Sequence, residues 1–206
     1  MSDRADRKPV EWGVATRCRR GETTSGDLAV VVPSRDGALV AAIDGVGHGE
    51  EAGRAARAAG EVLRGNPSRD LVLLVDRCHR ALDGTRGAAI SLAFVSASQS
   101  TLTWLGVGSV EGRLMSAGPA ATRPKGSLAL ANGVPGHELP RVGNATIDIR
   151  AGDVLVMATD GVGRDFASSR DVSGSPQAIA ERIIQDHWKP ADDALVVAAR
   201  FLGIRS

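Results

Sequence analysis

The chain has no tyrosine, only two cysteines and only three lysines among its 25 basic residues, so 22 of those residues are arginine. The missing tyrosine and the arginine excess read as coding bias rather than chemistry. Cys18 and Cys78 are too few for a disulfide framework and read as thiols in a reducing cytosol. No h-region follows the charged stretch Met1 to Lys8, so no secretory signal is expected. The longest apolar runs are broken by charge or glycine, short of the ~20 residues a membrane helix needs. Net charge is +1, so no overall basic field is available to draw in nucleic acid or an anionic membrane. Against these absences stands an ordinary globular composition of 43% hydrophobic and 24% charged residues. That balance excludes wholesale disorder. At 206 residues the chain is long enough for one sizeable core or two small ones. A soluble, cytoplasmic protein is expected, without membrane or nucleic-acid partners.

Residues 1–9 read as a flexible N-terminus, followed by an apolar stretch over Val10 to Arg17. Leu28 to Val32 and Ala38 to Ile43 are β-rich runs joined through Asp36-Gly37, a hairpin signal. The period then changes. Ala52, Ala55, Ala56, Ala59, Val62 and Leu63 share one helical face, and Leu71, Leu74, Val75, Cys78 and Leu82 define a second helix. Asn66, Ser68 and Asp70 are its candidate N-caps, and Gly84 its stop. Strands are expected at Ala88 to Ala97, Thr101 to Leu105, Val110 to Met115, Leu128 to Ala131, Ala145 to Ile149, Asp153 to Ala158 and Ala194 to Leu202. A helix is expected over Gln177 to His187. Hairpins dominate, so the class is α+β with antiparallel sheet.

Four acidic motifs flank these strands: Gly26-Asp27, Asp44-Gly45-Val46-Gly47-His48-Gly49, Ala158-Thr159-Asp160-Gly161 and Ala191-Asp192-Asp193. Taken singly, an Asp-Gly reads as a turn, as Asp36-Gly37 and Asp83-Gly84 do. Taken together, they place hard oxygen ligands at the ends of core strands, with glycines that let a backbone carbonyl reach an ion. Two carboxylates 4 Å apart repel by about 4 kcal/mol at an effective dielectric of 20. A converging cluster therefore needs cations or protons. All-oxygen ligation favours Mg²⁺ or Mn²⁺ over zinc, and two such ions form a hydrolytic centre.

On these motifs the chain resembles the metal-dependent serine/threonine phosphatases of type 2C, and within them the bacterial SpoIIE-like branch with its small stressosome feedback phosphatases. Arg77-Cys78-His79-Arg80-Ala81, Thr85-Arg86-Gly87-Ala88-Ala89 and Leu105-Gly106-Val107-Gly108-Ser109 add to the likeness, which runs from about Ser25 to Leu202. The resemblance implies one catalytic domain over residues 1–206, folded as a four-layer αββα sandwich of two antiparallel sheets flanked by helices. It implies two Mn²⁺ or Mg²⁺ ions bridged by Asp44, with the Gly45 carbonyl completing one site. Asp160 and Asp192 would hold the second ion, with Asp27 beside the cluster and Asp193 behind Asp192. A metal-bridging hydroxide would attack phosphoserine or phosphothreonine on a stressosome or anti-anti-sigma protein. Relatives carry regulatory segments ahead of the catalytic domain, and none fits before Val10.

The chain departs from the family at Leu28, where an aromatic is common, and at Asp192-Asp193-Ala194-Leu195, where Asp-Asp-x-Thr is usual. None of Arg17, Arg19 and Arg20 matches a phosphate-binding arginine by motif, so no substrate-binding residue is assigned. His48 is a candidate proton donor to the leaving oxygen, with an exposed or backbone-bonded loop histidine as the plainer reading. Asp165, Asp171 and His187 read as surface, Arg17 to Arg20 as a solvated loop, and Trp12, Trp104 and Trp188 as packing residues. The alternative function is a catalytically silent regulator of the same fold that docks a signalling partner. A monomer is the expected state.

Overall fold

The computed structural model describes residues 9–116, 125–168 and 171–203. The expected flexible segment 1–9 therefore lies outside it, save for Pro9. Eleven strands and three α-helices are seen among the described residues. They run β1 (Val10–Arg17), β2 (Asp27–Ser34), β3 (Gly37–Gly45), α1 (Gly49–Gly65), α2 (Leu71–Ala81), β4 (Ala88–Ser96), β5 (Thr101–Val107) and β6 (Glu111–Met115). The order continues with β7 (Gly126–Ser127), β8 (Leu130–Ala131), β9 (Ala145–Asp148), β10 (Val154–Ala158), α3 (Pro176–His187) and β11 (Ala194–Phe201), with a 3₁₀ turn at Arg164–Ser168 before α3. The strands form two sheets, one ordered β1-β11-β10-β6-β7 and the other β2-β3-β4-β5-β8, with β9 paired to β5.

The central strands are buried on both faces, and their side chains alternate between two cores. In β3, Val40 and Ala42 point into the space between the sheets, while Leu39, Ala41 and Ile43 point to α1 and α2. In β11, Leu195, Val197 and Ala199 face the sheet–sheet core, and Ala194, Val196 and Ala198 face α3. Trp104 is fully buried in the inter-sheet core. The result is helix, sheet, sheet, helix, the four-layer α+β sandwich expected. All strand pairs are antiparallel except the short β5–β8 pair. No helix among the described residues is long and apolar enough to cross a membrane.

Local signals explain the helix ends. Of the three cap candidates before α2, Asp70 serves: its carboxylate accepts the Leu73 N–H at 3.0 Å. Ser175 caps α3, accepting the Ala178 N–H at 3.2 Å, with Pro176 in the first turn. Near its start, α3 is fastened to β1 by Gln177, whose carboxamide accepts from the Val14 N–H and donates to the Val14 carbonyl, each at 3.0 Å.

Three expectations are corrected. The strand Leu128 to Ala131 is not one strand: Gly126–Ser127 pairs with β6 in one sheet, and Leu130–Ala131 pairs with β5 in the other. Asp36 does more than turn a hairpin. Its carboxylate accepts from the Ser96 hydroxyl and the Ser98 N–H and pairs with Arg69, tying together two hairpin ends and the start of α2. His187 is largely buried and pairs with Asp165 at 3.2 Å, whereas Asp165 itself is exposed.

Candidate metal centre

All four acidic motifs come to one end of the sandwich. Asp27 opens β2 and Asp44 nearly closes β3, and the two residues are direct cross-strand partners. Asp27 shares the strand face of Ala29 and Val31, and Asp44 that of Ala42 and Val40, so both face the opposing sheet. That sheet supplies the rest. Asp160 follows β10, and Asp192 and Asp193 precede β11, its antiparallel neighbour.

Hydrogen bonds across the two sheets fix the cluster. The Thr159 hydroxyl donates to Asp27 Oδ2 at 2.7 Å and accepts the Leu195 N–H at 2.8 Å, so one side chain joins β2, β10 and β11. The Ser109 hydroxyl donates to Asp44 Oδ2 at 3.2 Å. Asp193 is 3% exposed, and both its oxygens are spoken for. Oδ1 accepts the Arg19 N–H and Oδ2 the Gly26 N–H, each at 2.8 Å. The polar segment 19–26, which includes part of the Arg17 to Arg20 stretch expected to be a solvated loop, is thus anchored at both ends. Asp192 is half-buried, and one of its oxygens accepts the Asp193 N–H at 2.9 Å. Lys189 reaches back to donate its Nζ to the Asp160 carbonyl oxygen at 2.8 Å.

The glycines of the motifs serve close approach more than turning. A Cβ on Gly161 would stand 1.8 Å from the Asp193 carbonyl oxygen, and one on Gly45 would stand 2.1 Å from the Ala52 carbonyl oxygen. The strand ends can therefore press against α1 and against the segment before β11, which brings the carboxylates near each other.

The electrostatics record that crowding. The Asp27 carboxyl is pushed up to about 8, by burial first and by the charge of Asp44 second. Asp44 is pushed up to about 7, by burial and then by Asp160. Asp160, at the solvent edge, is raised by lost hydration and then by Asp192, while Lys189 and Arg164 draw it down. Carboxyls in this condition either hold protons or await cations.

The donor set fits a hard divalent ion. The expected donors are carboxylates and the Gly45 carbonyl, and Cys78 takes no part, being buried in the layer beneath α1 and α2, its thiol raised to about 12 by burial. Among the described residues, no group of three or more His, Cys, Asp and Glu side chains forms a ready cage for an ion.

His48 does not join the carboxylates. It precedes the first turn of α1, more than a third exposed, with Nδ1 3.0 Å from Glu22 Oε1. Arg86 pairs with Glu51 at the start of α1. Trp188 donates its indole N–H to the Asp192 carbonyl at 3.1 Å, which makes this packing residue part of the site's frame. Thr159 and Ser109 stand within stretches that carry the family likeness, yet nothing in sequence assigns them a task. Their partners lie 132 and 65 residues away.

A family model described as Stage II sporulation protein E (SpoIIE) matches residues 34–202. The phosphoserine phosphatase RsbX of Bacillus subtilis (strain 168) is 26% identical over 92 residues, covering 45% of this chain and 46% of that protein. The chain thus matches about half the length of this curated relative. A chain solved in work on "The bacterial stressosome: a modular system that has been adapted to control secondary messenger signaling" is 28% identical, with a TM-score of 0.82. That match covers 93% of this chain and 99% of that one. The crystal structure of RsbX in complex with magnesium superposes with a TM-score of 0.83 at 20% identity, covering 95% of this chain and 96% of that chain, a likeness of fold.

Proposed function

The chain belongs to the SpoIIE family, whose fold is that of the type 2C phosphatases, and from that premise we propose that it is a Mn²⁺- or Mg²⁺-dependent protein serine/threonine phosphatase. The observation that carries the reading is the gathering of Asp27, Asp44, Asp160 and Asp192 at one end of the sandwich, with two of the carboxyls raised to about 7 and about 8 by burial and mutual charge. Asp44 and the Gly45 carbonyl would bind at the β3 end, with Asp44 shared between two ions. Asp160 and Asp192 would complete the second ion's shell, and Asp27 would bind directly or through water. Asp193 would act from behind, holding the 19–26 segment through its two backbone hydrogen bonds. When bound, two such ions would supply an activated water and neutralise phosphoryl oxygens, the chemistry by which phosphoserine or phosphothreonine and water become the free hydroxyl and inorganic phosphate. The chain's own residues hold the carboxylates in place, Thr159 on Asp27 and Ser109 on Asp44.

We assign the substrate to phosphorylated stress-signalling proteins of the stressosome or anti-anti-sigma kind, in the cytoplasm. The relatives described above, one a phosphoserine phosphatase and one solved in stressosome work, support that assignment. A silent docking module would be expected to have lost part of the acidic set, and every position is filled. The purified protein with Mn²⁺ should hydrolyse p-nitrophenyl phosphate and release phosphate from a phosphorylated stressosome protein. Asp44→Ala and Asp160→Ala should each abolish both. Undiminished turnover in the two variants would sink the mechanism.

A further inference from the structure

The connection from β5 to β6 is where the chain leaves one sheet for the other. It passes the metal centre at Gly108-Ser109-Val110, and it is pinned on both sides of Ser109. The Gly108 N–H donates to the Ala131 carbonyl at 3.0 Å, and the buried Ser91 hydroxyl donates to the Val110 carbonyl at 2.6 Å. Gly108 itself has φ +96, a left-handed conformation, and a Cβ there would sit 2.5 Å from the Ala89 Cβ. A side chain would be both strained and blocked, so glycine is required to direct the next residue inward. That residue carries a hydroxyl, which donates to Asp44 Oδ2 at 3.2 Å. A small neutral donor on a rigid crossing between the sheets therefore holds the Asp44 carboxylate.

We infer that Ser109 is a positioning residue for the metal centre, orienting the Asp44 carboxylate so that it can bind the ions. The inference rests on the phosphatase reading of this cluster. With one oxygen of Asp44 engaged by the hydroxyl, its other oxygen is free for an ion. Groups that orient metal ligands in this way typically change metal affinity 10–100-fold when removed.

The test is calorimetric titration of the apo-protein with MnCl₂, alongside thermal melts in EDTA. Ser109→Ala should weaken Mn²⁺ binding by about tenfold or more, while Ser109→Thr, which keeps the hydroxyl, should stay within about threefold of the parent. Ser109→Cys keeps the size but donates weakly, and should follow the alanine variant. Should the alanine variant fail to fold, the threonine and cysteine pair gives the same comparison. Mn²⁺ affinity of Ser109→Ala or Ser109→Cys within twofold of the parent would overturn the inference. If Asp160→Ala loses Mn²⁺ while Ser109→Ala retains it, only the role of Ser109 fails. A parent protein that binds no Mn²⁺ would take the phosphatase reading down with it.

Discussion

Replacing Asp27 or Asp44 with asparagine should stabilise the metal-free protein at alkaline pH. The two residues are direct cross-strand partners on the face that meets the opposing sheet. Such partners have Cβ atoms about 5 Å apart. Two unit charges at about 5 Å and an effective dielectric of 20 repel by about 3 kcal/mol. Both carboxyls lie above the ordinary carboxylate value of 3.8, Asp27 at about 8 and Asp44 at about 7. The stability they contribute is therefore whole below the unfolded value and drains away as pH rises through about 7 and 8. Asparagine keeps the shape and can still accept from Thr159 or Ser109, but it carries no charge. In a chain of this size 1 kcal/mol moves Tm by about 2–4 °C, so each variant should melt about 6–12 °C higher at pH 9 in EDTA. At about pH 5, roughly one unit above the unfolded value, the gain should shrink to about 3–6 °C. Saturating Mn²⁺ should reverse the order, because it stabilises the parent by mass action and the variants much less. Thermal melts at the two pH values, with EDTA and with Mn²⁺, decide the matter. A variant that melts lower than the parent at pH 9, or that shows the same change at both pH values, would refute the idea of a repulsive, cation-seeking cluster.

Asp193→Ala should lower stability by about 3–5 kcal/mol, since it removes two charge-assisted hydrogen bonds from buried backbone groups. Asp192→Ala should melt within a few degrees of the parent yet lose Mn²⁺ binding; the opposite pattern would exchange the roles of the two neighbours. Gly161→Ala should be destabilised by about 3 kcal/mol or more, because its methyl would overlap the Asp193 carbonyl and force the segment before β11 outward. Denaturant unfolding would measure it. Trp104→Ala should cost about 3–5 kcal/mol from the inter-sheet core, with Mn²⁺ affinity as the control that the loss lies in packing rather than in the site.

Much of this architecture is legible from period alone, because β3, β4, β10 and β11 are covered on both faces and read as unbroken apolar strands. The helices are legible because α1 and α2 repeat small and aliphatic residues on one side. The segment from Gly126 to Ala131 is not, since two residues serve one sheet and two the other, and neither pair is long enough to set a period. The acidic positions are visible as motifs, but their division of labour is not. Asp192 and Asp193 are chemically identical neighbours, and what separates them is that Arg19 and Gly26, more than 160 residues away, aim their N–H groups at Asp193. His187 is unreadable for the same reason, since its burial comes from packing beside the 3₁₀ turn rather than from its own neighbours in sequence.

The bond between Gln177 and Val14 has a consequence for the molecule among its neighbours. β1 ends its sheet, so its outward N–H and C=O groups would form an open template for a strand from another chain. At Val14 a carboxamide offers the same acceptor and donor pair that an incoming strand would offer. A single glutamine side chain thus imitates one residue of a further strand and then stops, because the helix behind it cannot continue the ladder. At Val14 the edge is closed by a substitute for the sheet's own next member, leaving no open N–H and C=O pair there for another strand.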